Sequence, residues 1–292
     1  MVRRVSVSQF NSMLRQAEQK RRQAIDQLNR DLRNRQQKLN QFVTAYNREV
    51  NAHNARVRAN QQRLKNELAR LSRQTAPTRY AAFQVSVTAV HTAYERFERF
   101  ASGAPETRYD DYLDLSEREA ANSAQLMNAL IDGAATSVAD AADSPESELT
   151  PVLQGVSPEL GARWRGALYS LSPHNPDAAR HFCTSAREII ARILAVKAPD
   201  DAVLTEMPNC DRTPQGTPTR RAKIRYFLHR RGMNCDELEA FVESDMKNVV
   251  ELFTLFNEGT HGEAGTFTQG QLAALRKRVE DGILFLSRVV VH

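Results

Sequence analysis

Cysteine, tryptophan and long apolar runs are all scarce in this sequence of 292 residues. Three cysteines, Cys183, Cys210 and Cys235, are odd in number and lack a C-x-x-C spacing. That excludes a disulfide framework and points to a reducing compartment. One Trp and an aromatic content of 7% mean that a compact core occupies only part of the length. No stretch approaches the roughly 18 apolar residues of a spanning helix, and the start, MVRRVSVSQFNSML, has no apolar core of a secretory leader. The expectation is a soluble, cytoplasmic protein with no membrane partner. The phosphate loop, G-x-G-x-x-G and H-E-x-x-H are also missing, so the common nucleotide and metal signatures give no lead and no cofactor is called for.

What is present divides by charge. Residues 1–75 hold 17 Lys and Arg against 5 Asp and Glu, a charge of +12, and since the whole chain carries +5 the remainder carries −7. Within that remainder, residues 106–150 contain 11 acidic and 2 basic side chains. A basic arm beside an acidic middle suits nucleic-acid binding, and it equally suits docking of arm on middle.

Glycine and proline are absent from residues 8–74, which are dense in Gln, Arg, Leu, Glu and Asn. Apolar residues recur at Phe10, Leu14 and Ala17, then at Ile25, Leu28, Leu32, Leu39, Phe42 and Tyr46. After a step of four they resume at Val50, Val57, Leu64, Leu68 and Leu71. Intervals of three, four and seven are heptad spacings, and the extra four is a stutter. A helix of this length reaches about 100 Å at about 1.5 Å per residue and cannot bury a narrow stripe alone. The arm, 1–76, therefore reads as a coiled coil that makes a homo-oligomer. Asn47, Asn51, Asn54 and Asn60 crowd the stutter, where buried amides fix register; without Gly or Pro the helix is expected to run through.

Beyond Pro77 the pattern is again helical and the expected class is all-α. A pair of helices at 77–133 carries Tyr80, Phe83, Val87, Val90, Tyr94 and Phe97, then Tyr112, Leu115, Leu126 and Leu130. Residues 134–150, AATSVADAADSPESELT, are small and acidic and read as a linker. A bundle at 151–292 then shows four main helices. Asn175 with Pro176 opens one, Thr217 with Pro218 opens another that Gly232 closes, and Thr268 with Gln271 forms a capping box.

Candidate chemistry lies on three features. Arg180, Thr184 and Arg187 share one helix face opposite the apolar stripe. Arg220, Arg221, Lys223, Arg225, Arg230 and Arg231 make a cationic surface that is either a solvated face or a phosphate contact. At Asn257-Glu-Gly-Thr-His261 an apolar helix stops and another restarts. A histidine there can serve as general acid or base, and an amide beside it can fix the ring tautomer; the alternative is an ordinary surface loop. Cleavage of RNA needs no metal when such a group activates the 2′-hydroxyl and a cation steadies the phosphorane.

Five segments carry a resemblance: YNREVNAHNARVRANQQRLKNEL, DLSEREAANSAQLMNALI, NPDAARHFCTSAREI, PTRRAKIRYFLHR and VVELFTLFNEGTHG. Together they resemble a bacterial family called predicted PIWI-associating nucleases, linked with phage-defence loci. The layout at 151–292 also resembles HEPN domains, helical bundles that are often metal-independent ribonucleases working as pairs. That resemblance implies RNA as substrate, a defence-system partner protein, and His261 as the motif histidine with Asn257 near the motif arginine. LFTLFNEGTH contains no arginine, so Arg187 or Arg225 would supply the cation. Parallel pairing of the arms would bring two bundles together. A non-catalytic scaffold, and a simple nucleic-acid-binding module built on the arm together with Arg180, Arg220, Arg221 and Lys223, are the competing expectations.

Overall fold

A computed structural model describes residues 6–103, 109–132, 147–172, 174–233, 235–258 and 267–291. Among them the chain is all-α, and an isolated antiparallel bridge between Arg212 and Pro218 is the β element present. Helix α1 runs unbroken from Val7 to Leu71, through the asparagine-rich stutter. Its start is a capping box: the Ser6 hydroxyl accepts from the Gln9 amide, and the Gln9 side chain accepts from the Ser6 amide. It ends six residues before Pro77, in a turn where the Arg73 and Gln74 amides donate to the Arg70 and Leu71 carbonyls.

Two compact units divide between Arg58 and Ala59. In the first, every residue from Ser6 to Ala52 is exposed, including Phe10, Leu28, Leu39 and Phe42. The second has one contiguous core. It takes in the end of α1, α2 (Ala81–Gly103) and α3 (Asp110–Asp132). It continues through α4 (Leu149–Val156), α5 (Pro158–Ser170), α6 (Ala178–Lys197), α7 (Asp200–Glu206) and α8 (Arg220–Arg230), then α9 (Asp236–Glu258) and α10 (Gln269–Val291). Its centre is α2, α3, α9 and α10, with α2 against α9 and α3, and α10 against α3 and α9. The stripe expected on α2 is the buried one: Phe83, Val87, Val90, Tyr94 and Phe97. Helix α6 packs on α9 and α5, and Trp164 of α5 lies 5.7 Å from Phe182 of α6.

Three helix starts differ from the sequence expectation. Helix α4 already begins inside the stretch read as linker, with Ser147 and Leu149 buried. The Asn175 side chain accepts from the Asp177 amide in a turn, and α6 begins at Ala178. Helix α8 is capped by Thr219, whose hydroxyl accepts from the Ala222 amide. Thr217 and Pro218 are taken up by a reversal at Gly216 (φ 82°), where the Thr213 amide donates to the Thr217 carbonyl. At its far end Gly232 (φ 67°) lets the Met233 amide donate back to the Leu228 carbonyl. The capping box of Thr268 and Gln271 at α10 is formed as expected, at 2.9 and 3.3 Å.

Candidate functional site

The join between α9 and α10 is held at both ends. Phe256, fully buried near the end of α9, lies 4.3 Å from Phe267, just ahead of α10. Asn257 is in the last turn of α9, while Gly259 and His261 lie outside the described residues, as does the Asn257 side chain.

The cations expected to act with His261 are placed differently from one another. Arg187 is exposed on α6, beside the buried Cys183. Burial pushes that thiol up, and the Arg187 charge only partly opposes it. Arg225 is committed to a carboxylate: its Nε and Nη2 each donate to Glu239 of α9 at 2.8 Å. Arg221 joins the same carboxylate at 3.0 Å and reaches Glu243 at 3.4 Å. These hydrogen bonds hold both guanidinium groups further toward the charged form. Burial raises the Glu239 pKa, but the bonds from Arg225 and Arg221 outweigh it and leave it below the usual carboxylate range. Lys223 reaches Asp200 at 2.6 Å, and Arg180 is paired with Asp177 one turn away. The cationic face of α8 is thus a row of ion pairs.

An opening in that row lies at the start of α8. A cleft of about 360 Å³ is lined by Thr219, Arg220, Arg221, Lys247, Asp211 and Glu243. Arg220 keeps an exposed side chain, yet the surrounding protein withdraws enough water to lower its pKa, with Glu243 opposing. The Thr219 cap leaves first-turn amides pointing the same way, which favours an anion. Three cations against two carboxylates leave this cleft electropositive.

A second charged cluster was not anticipated. Arg278 of α10 is 1% exposed and its guanidinium is shared between two other helices, α3 and α9. Nη1 donates to Glu119 of α3 at 3.0 Å, and Nε to Ser123 of α3 at 3.0 Å. Nη2 donates to Asp245 and, at 3.0 Å, to Asn248, both of α9. Asn248 in turn donates to Ser86 of α2 at 2.8 Å, so all four central helices meet here. Asn122 extends the network, donating to Asp281 at 2.7 Å and accepting from Arg63 of α1 at 2.6 Å. Burial first, and the Asp245 charge second, raise the Glu119 pKa well above its ordinary range, against the pull of Arg278. Asp245 is raised by burial too, and its Oδ2 has no hydrogen-bond partner. Closed on every side, this cluster organises the helices and offers no substrate an approach. Its signal in the sequence was polar residues in apolar stripes: Glu119 and Asn122 between Leu115 and Leu126, and Asp245 and Asn248 between Val242 and Leu252.

Among the described residues no three His, Cys, Asp or Glu side chains gather as they would around a metal ion, and the three cysteines are free. No helix there is long and apolar enough to cross a membrane. Residues 153–286 match the family model described as predicted pPIWI-associating nuclease. No curated protein and no solved structure matches the chain.

Proposed function

We propose that this chain, whose residues 153–286 match the family model of predicted pPIWI-associating nucleases, is a metal-independent ribonuclease effector of bacterial anti-phage defence. The family match carries the reading, because a match to a nuclease family implies a nucleic-acid substrate. The cleft of Arg220, Arg221 and Lys247 supports it as a place for phosphates. In this scheme His261 moves the proton of the 2′-hydroxyl, Asn257 orients it, and a cation offsets charge on the phosphorane. Arg187 suits that last role better than Arg225, which Glu239 already holds. The exposed seam of α1 pairs two chains.

The test is incubation of the purified full chain with total RNA, and with single-stranded DNA of matched length, with and without chelator. Cleavage of RNA that survives chelation and falls about 10²–10⁴-fold in His261→Ala is the expected result. Cleavage lost with chelator, or retained in His261→Ala, overturns the catalytic assignment.

One observation favours a second reading, a non-catalytic scaffold that uses the arm to recruit a partner protein. The motif arginine is missing, and Arg221, Lys223 and Arg225 are occupied by carboxylates. Expression of the wild type beside His261→Ala separates the readings: a toxic nuclease loses toxicity in the variant, whereas a scaffold behaves alike in both.

A further inference from the structure

The exposed seam of α1 is not purely apolar, and its charges carry information about the partner. Over Val7–Tyr46 the heptad set by Ile25, Leu32, Leu39 and Tyr46, continued toward the start of α1, places Asn11 and Glu18 at the same core position, conventionally a, with Phe10 and Ala17 flanking them by one residue. Val7, Leu14, Arg21, Leu28, Arg35 and Phe42 occupy the other, d. All of them are exposed. Four charged residues therefore stand on the seam itself: Glu18, Arg21 and Arg35, with Glu49 one heptad beyond Phe42.

We infer that the partner of this seam is a second copy of the chain, laid antiparallel, with Val7 of one copy beside Tyr46 of the other. The inference rests on the pairing proposed above and fixes its direction and register. In a parallel, in-register pair every core residue meets itself. Glu18, Arg21, Arg35 and Glu49 would each face the same charge across the seam, four repulsive layers where a coiled coil buries side chains. In an antiparallel pair a meets d. With Ile25 against Leu28 of the other copy, the remaining layers follow without choice. Leu14 meets Leu39, Val7 meets Tyr46, Asn11 meets Phe42, and the stem of Arg21 covers Leu32. Glu18 meets Arg35, twice by symmetry. No layer then joins like charges, and two join opposite ones.

Register is fixed by the same pairs. Sliding one heptad sets Glu18 against Phe42 in one direction and against Leu28 in the other. Sliding two sets Glu18 against Glu49 in the direction that extends the overlap past Tyr46, and the other direction, although it sets Glu18 against Arg21, shortens the overlap to Val7–Leu32. Flanking positions do not compete with this choice, since Arg15, Arg22, Asp31 and Lys38 meet no like charge in either orientation. The overlap spans about 60 Å of helix, beyond the three or four heptads a stable coiled coil needs. Polar residues inside a seam are the device by which coiled coils exclude wrong partners and registers.

Charge reversal in the full chain, read by sedimentation equilibrium, tests this. Glu18→Arg sets two arginines against each other in each of the two charged layers, and Arg35→Glu sets two glutamates there. Each is expected to weaken dimerisation about tenfold, two layers passing from attraction to repulsion. The double variant E18R/R35E restores the attraction and returns to within about threefold of wild type. A Leu14→Cys/Leu39→Cys chain, oxidised and digested, is expected to yield a peptide linking 14 to 39. That link can only be between copies, because about 37 Å of helix separates the two positions in one chain. A dimer indifferent to both single reversals, giving 14–14 and 39–39 peptides, overturns the antiparallel assignment and leaves pairing intact. A monomer at every concentration overturns pairing itself.

Discussion

Two meetings of arginines with carboxylates, one around Arg278 and one on α8, differ in water. Around Arg278 the guanidinium and both carboxylates are buried, so each charge depends on the others and nothing else can replace them. On α8, Arg221 and Arg225 keep 47% and 41% of their side chains exposed while sharing Glu239, which keeps 7%. There water takes over when a partner leaves. The same chemistry therefore clamps helices in one place and holds cations ready in the other. Buried ion pairs contribute to uniqueness of the fold more than to its net stability, whereas surface pairs add little but remain exchangeable.

The largest effect should come from Arg278→Ala. It leaves Asp245 buried without a cation and Glu119 with only its longer contact to Arg118, at 3.9 Å, at a cost of about 3–5 kcal/mol by chemical denaturation, or failure to fold. A triple variant, Glu119→Gln/Asp245→Asn/Arg278→Met, removes all three charges together and should cost less than Arg278→Ala alone. If the single variant is as stable as wild type, the cluster does not clamp the four helices. Gly282→Ala probes the same place more gently. A methyl group there would lie 2.8 Å from Arg278 Nη1 and 3.2 Å from a Val249 methyl. Because Glu119 fixes that nitrogen, the guanidinium cannot swing aside, and a net loss of about 1 kcal/mol is expected despite the gain in helix propensity. A rise in Tm would show that Arg278 is freer than its hydrogen bonds imply.

Why one meeting was legible in the sequence and the other was not follows from distance along the chain. Apolar spacing is a local property, so the stripe from Phe83 to Phe97 and the capping box of Thr268 could be read directly. Arg278 reaches Glu119 across 159 positions, and nothing in the spacing around either residue names the other. Glu119 alone looks like the edge of a stripe. Arg220, Arg221, Lys223 and Arg225 were visible as a cationic run, but Glu239 and Asp200, which engage three of them, come from α9 and α7. The short helices α4, α5 and α7 were not separated in the sequence, where so few turns give little periodicity to read, and Pro158 stands at the first turn of α5, where proline is tolerated.

Between the two extremes lies Glu117, buried on α3 without an arginine. Burial, then the charges of Glu98 and Asp114, push its pKa up to about 7, against the pull of Lys65. The folded chain therefore holds a proton that the unfolded chain releases near 4.5. The contribution of Glu117 is most favourable below that value and is lost as pH rises through about 7. Glu117→Gln should leave stability at pH 4 nearly unchanged and raise it at pH 8 by about 1–2 kcal/mol. Parallel pH profiles for wild type and variant would show that Glu117 ionises normally.

The smallest effect on stability, and the sharpest on the comparison, should come from Glu239→Gln. Its folded pKa is below the ordinary value, so its stabilisation is present above about pH 4.5 and fades as pH falls through the lowered pKa. Both arginines it holds are partly exposed, so the loss at neutral pH should stay within about 1 kcal/mol. Its effect on anions should run the other way. Removing the carboxylate releases Arg225 and leaves Arg221, one turn before it on α8 in the cleft, with only its longer contact to Glu243, so that each can turn to a phosphate instead. Binding of a short single-stranded RNA should tighten severalfold, with the slope of log K against log salt steeper by about 1, since each further phosphate neutralised releases counterions. Arg220→Ala should move the same slope in the opposite direction. If Glu239→Gln leaves both affinity and slope unchanged, the cations of α8 serve the fold alone, and the two meetings differ only in depth.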